Sequence, residues 1–236
     1  MKNSSFLLTF LYCFLFMSCS FESEGIYTDD RTEEYQLYDY YIDSYGNEGI
    51  IAYIDLTDPI HMIIVISADE SYESWGPMGE CVYQCDSIGK SAFTQPVFGV
   101  AMHQAMKSIG MESFPAQAWC DKKNNDERFS RAGSWRLPTV YELRSILGTD
   151  GSRVNSLNSA LRGIGAQPIS DEMMYWTCVE DHDDYIDITG VDSDYDKENR
   201  AVIMSPHIGT YGYKDRWLKK NKYCVRAIKY VYYYYE

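Results

Sequence analysis

The chain has 236 residues, with 35 Asp and Glu against 21 Lys and Arg and a formal net charge of −14. Such an acidic balance excludes nucleic acid and polyanionic surfaces, whose recognition needs clustered cations. Neutral glycans and other proteins stay open as partners.

At the start, "MKNSSFLLTFLYCFLFMSC" carries Lys2, an apolar run from Phe6 to Met17, then Ser18 and Cys19. The run is short of the roughly 20 residues that cross a bilayer, so it predicts a cleaved export signal over 1–18. "FMSC" resembles the lipobox of bacterial lipoproteins, although Phe16 stands where that pattern prefers Leu. The resemblance implies a lipid on the Cys19 thiol and contact with the membrane through that lipid alone. Residues 19–47 are acidic, poor in aliphatics and without a sustained period, which predicts a solvated tether. Glu22 and Glu24, close behind Cys19, resemble the signal that sends some lipoproteins to the outer face of the outer membrane. The expected location is therefore the outer membrane, lipid-anchored and surface-exposed.

Residues 48–236 read as one domain. "GIIAYIDL" and "HMIIVISADE" are short runs rich in Ile and Val on either side of "TDP", which predicts a hairpin with a second strand buried on both faces. "VFGVAMHQAMKSIG" places Met102, Met106 and Ile109 at helical spacing and stops at Gly110. "FPAQAWCDKK" predicts a second short helix, with Pro115 near its start.

In "SWRLPTVYEL", Pro138 drives Leu137 out of the helical region and leaves Thr139 to cap, with Glu142 completing a capping box. Val140, Leu143, Ile146 and Leu147 then share one helical face, and Trp135 and Leu137 lead into the core. "SRVNSLNSALRGIG" repeats the pattern with Val154, Leu157, Leu161 and Ile164. "MMYWTCVE", "NRAVIMSP" and "KYCVRAIKYVYYYY" predict closing strands. Two strands, a helical middle and about three strands make an α+β layout.

The ordered words "GIIAYID", "HMIIV", "AQAWC", "SWRLPTVYEL", "NSALRGIGAQPIS", "MYWTC" and "YCVRAI" resemble bacterial C-type-lectin-like domains of the Lcl C-terminal and major paralogous domain families. The departures are Cys178 where Ser is usual, Tyr223 where Arg is common, and a long acidic insert. The resemblance implies a C-type-lectin-like fold of small antiparallel sheets with two or more flanking helices. In it Trp135, Arg136, Leu137, Pro138, Thr139, Glu142 and Trp176 are fold-defining words rather than a site. It also implies a disulfide from Cys120 to Cys224. Export leaves five cysteines in an oxidising compartment, so one is odd. Pairing of Cys81 with Cys85, or of either with Cys178, is open.

Formylglycine-generating enzymes share an "RLPT" word, but theirs continues in a Glu-Ala-Glu-Trp-like run that "VYELRS" lacks. A Cys178 and His182 nucleophile pair would lie beside negative charge, which raises a thiol pKa. The expectation is a binding or adhesion module for a glycan or a cell-surface protein, not an enzyme. A structural or assembly component without a small ligand is the alternative. No cofactor is required. "EDHDDYIDITGVDSDYDKEN" holds nine carboxylates against one lysine, and Asp192, Asp194 and Asp196 alternate as calcium ligands do. Lys197 and Ile203 stand where an EF-hand has Gly and its bidentate Glu, so calcium is a candidate cofactor without a complete motif. Trp217 is the candidate for stacking on a sugar ring.

Overall fold

Runs of β-branched residues set the first sheet. The computed structural model describes residues 35–55, 60–82, 96–124, 133–148, 151–180, 198–206 and 214–234. Strands β2 (Glu48–Asp55) and β3 (Ile60–Ser67) pair antiparallel, with a register shift between Ile51 and Tyr53. Ile63 to Ile66 are all buried, as a strand covered on both faces must be. β3 continues onto β9 (Ile228–Tyr234), and β2 onto β1 (Tyr40–Ile42), giving the order β1-β2-β3-β9. The second sheet runs β4-β8-β5-β6-β7, from β4 (Ser71–Ser74), β5 (Tyr175–Glu180), β6 (Arg200–Met204), β7 (Lys214–Leu218) and β8 (Lys222–Val225). Its β5–β8 pair is parallel.

Between β4 and β5 in sequence come α1 (Pro96–Ile109), α2 (Pro115–Asp121), α3 (Val140–Leu147) and α4 (Val154–Gly163). Pro115 occupies the first turn of α2, where a missing N–H costs nothing. Met102 and Met106 are fully buried, and Gly110 ends α1 at φ 135°. The apolar faces of α3 and α4 join one core with both sheets. The protein is thus an α+β fold of two small sheets and flanking helices. Among the described residues, no helix is long and apolar enough to cross a membrane.

Four expectations change. Residues 35–47, assigned to the tether, belong to the fold. β1 pairs with β2, Tyr41 is 5% exposed while Tyr40 and Ile42 point out, and the Tyr38 N–H donates to Ile51 O at 2.7 Å. Period-2 alternation over three residues is too short to stand out among so many tyrosines. The expected last strand is two strands in two sheets, broken at Arg226–Ala227. The Arg226 guanidinium donates to Ser67 O, Glu70 Oε2 and Gln167 O at 3.1, 2.8 and 2.8 Å, and the Ala227 N–H to Ser67 Oγ at 3.1 Å. Those bonds turn the chain from one sheet to the other. Ile109 is exposed at the end of α1, and Ile164, just past α4, is only partly buried.

Candidate functional site

The "SWRLPT" segment is the point where the sheets and helices are tied together, and Ser134 to Val140 are all buried. Arg136 forms an antiparallel bridge with Ile228 at the start of β9, with bonds of 3.0 and 2.9 Å. Trp135 Nε1 donates to Asp43 Oδ2 at 2.9 Å, behind β1. The Leu137 N–H donates to Gln117 Oε1 in α2 at 3.0 Å, and Pro138 O accepts from the Cys178 N–H in β5 at 2.8 Å. Thr139 caps α3 in a reciprocal capping box with Glu142. Trp135 to Thr139 all serve the architecture, and no residue of the word presents a side chain to solvent.

Glu142 does more than cap. Its carboxylate takes two hydrogen bonds from the Arg136 guanidinium, at 2.9 and 2.6 Å, and one from Tyr230 Oη at 2.5 Å. Burial pulls the Arg136 pKa down, but the charge and hydrogen bonds of Glu142 outweigh it and hold the guanidinium firmly protonated. Asp43 shows a similar balance. Burial raises its pKa, while hydrogen bonds from Trp135 and Asn47 and the charge of Lys229 bring it below the usual carboxylate range.

On the five-stranded sheet the aromatic side chains form a ladder from core to surface. Trp176 is fully buried on β5 and donates its Nε1 to Glu73 O at 2.9 Å. Tyr223 on β8 meets it edge to face, with centroids 5.1 Å apart at 84°. Trp217 on β7 meets Tyr223 at 5.8 Å and 64°, and is 40% exposed. A surface indole held by a second ring on a buried third is a pre-ordered apolar face of the kind that stacks on sugar rings or partner aromatics. Trp217 was legible as a stacking candidate. Tyr223, the rung that holds it, looked like a mere departure from a family word, because the contact is set by the turn between β7 and β8.

The turn that follows β7 carries half of a buried pair that the sequence hid. Glu180 reads there as one of nine solvated acids, yet its side chain is 1% exposed and the side chain of Lys219 is 0% exposed. Lys219 Nζ lies 2.5 Å from Glu180 Oε1 and 4.9 Å from the Trp75 ring centroid. No local pattern links two residues 39 positions apart.

Cys120, Cys178 and Cys224 stand as thiols in the structure, and the Cys120–Cys224 pairing rests on the resemblance alone. Cys120 is fully buried in α2, while Cys224 Sγ on β8 faces Glu70 Oε1 at 3.9 Å. Burial drives the thiols of Cys120 and Cys178 far up, and burial with the charge of Glu70 lifts Cys224 to about 11. Cys19, Cys85, His182, and Asp192, Asp194 and Asp196 lie outside the described residues.

No protein-family model matches the chain, and no curated protein does. Among solved structures it is similar to a fimbrial protein from Bacteroides ovatus, with a TM-score of 0.54 and 14% identity. The likeness covers 83% of this chain and 48% of the other, so the chain spans about half the length of that protein. At this identity the shared property is the fold.

Proposed function

We propose that this protein is an exported, lipid-anchored cell-surface protein that binds a glycan or a surface protein through the Trp217–Tyr223 face, without catalysis and without a required cofactor. The observation that carries the reading is the ladder. Trp217 is 40% exposed, packs edge to face on Tyr223, and through it on the buried Trp176, so its ring is held at the surface as a ready stacking face. The export signal and "FMSC" support the location, and the ordered lectin-like words support a binding domain. A nucleophilic role for Cys178 is opposed by its burial, which holds the thiol protonated.

A second reading, a component of a surface assembly with no small ligand, is favoured by the likeness to a fimbrial protein. Both readings need the chain outside the cell. Antibody labelling of intact cells, compared with permeabilised cells, tests that requirement. Surface signal on intact cells, lost on Cys19→Ala, supports the anchored surface protein. Labelling only after permeabilisation overturns both readings.

A further inference from the structure

The buried pair Lys219 and Glu180 has no part in ligand binding as proposed above, and it holds an amine and a carboxylate in direct contact. Lys219 Nζ donates to Glu180 Oε1 at 2.5 Å and to Glu80 O at 2.7 Å. The Val82 N–H lies 3.0 Å from each oxygen of the same carboxylate, and Cys81 Sγ lies 3.4 Å from Oε2. Lysine is almost never fully buried unless paired, and even when paired its desolvation offsets most of the attraction, so the ion pair gains little stability. An amide between the same two groups carries no charge. Condensation therefore removes both desolvation costs, and a site that excludes water also lacks the reagent for hydrolysis.

We propose that Lys219 and Glu180 condense into an intramolecular isopeptide cross-link. One ammonium proton first crosses the hydrogen bond to the carboxylate, and Nζ then attacks Cδ of Glu180 as the free amine; the Nζ–Cδ bond forms and the Cδ–Oε2 bond breaks. Of the three ammonium protons, one stays on nitrogen and two leave with Oε2 as water, while Oε1 remains as the amide oxygen. The Val82 N–H donates to the oxygen that carries charge in the tetrahedral intermediate. The Cys81 thiol passes its proton to the departing Oε2 and regains one from Nζ, so it ends unchanged. Nothing is oxidised or reduced, and the two side chains are the only reactants. The bond ties the end of β5 to the turn between β7 and β8, two residues past Trp217.

The test is peptide mapping of the full exported chain after reduction, unfolding and tryptic digestion. The expected result is a branched peptide joining the Glu180 and Lys219 segments, lighter than its two linear parts by one water, about 18 Da, with no cleavage after Lys219. Cys81→Ser is expected to raise the fraction of linear peptides in the same map. Quantitative cleavage after Lys219 in the wild-type chain, with Glu180 recovered in a linear peptide, overturns the proposal. A water loss mapped to any other residue overturns it equally. The wild-type map decides the matter even if a variant fails to fold.

Discussion

Arg136 and Glu142 face each other at the centre of the molecule, 1% and 0% exposed, joined by two hydrogen bonds of 2.9 and 2.6 Å. The pair sits where the bridge to β9, the start of α3 and the Tyr230 hydroxyl converge. Removing one partner strands the other charge. Glu142→Ala is expected to cost about 3 to 5 kcal/mol in urea unfolding, against about 1 kcal/mol for Thr139→Ala, which removes only the cap. Equal losses for the two variants would mean that the ion pair adds nothing beyond the capping box.

Gly99 reports on the same pair from α1. A Cβ placed there would come within 2.6 Å of Arg136 Cζ. In an ordinary helix Gly→Ala gains about 0.5 to 1 kcal/mol. Here the guanidinium is pinned by Glu142 and cannot swing away, so Gly99→Ala is expected to destabilise by about 1 to 3 kcal/mol. A more stable variant in the same unfolding assay would show that Arg136 is free to move.

Asp43 links acid stability to β1. Its pKa in the folded chain lies below the unfolded value, so the folded state binds fewer protons over that range. The stabilisation is fully present above the unfolded carboxylate value, about 3.9, and is lost as pH falls through the lower folded value. Asp43→Asn is expected to lower stability at neutral pH and to flatten the acid limb of the stability curve. Parallel curves for the two proteins below pH 4 would rule this carboxylate out as the source.

Cys120 and Cys178 are expected to resist iodoacetamide in the native protein and to react on unfolding, because burial keeps both thiols protonated and out of reach. Mass spectrometry after timed alkylation reads this directly. Rapid native modification of Cys178 would reopen the nucleophile reading.

Much of the fold was legible in local pattern. Pro138, Thr139 and Glu142 specify the start of α3 by backbone rules alone, and the Ile-rich runs specify β2 and β3. What could not be read was set by contacts far apart in sequence. Arg136 meets Gly99 and Ile228, Arg226 breaks the last strand by bonding to Ser67 and Gln167, and Lys219 buries Glu180. At the candidate site, Trp217 was visible as a residue type, but its support by Tyr223 and Trp176 depends on how β7 turns into β8. The Cys120–Cys224 pairing is implied by resemblance alone, and local pattern says only that the two cysteines fall in α2 and in β8.

The ladder is the claim most directly open to test. The protein and its Trp217→Ala variant would be compared on one array of glycans and extracellular proteins, with thermal melts alongside. Trp217 contributes one edge contact to Tyr223, so its loss is expected to cost about 1 kcal/mol of stability or less. The account predicts selective binding by the wild type that falls at least about tenfold in the variant while the fold persists, as loss of a central aromatic contact does. Equal binding by both proteins, or binding by neither, would contradict it.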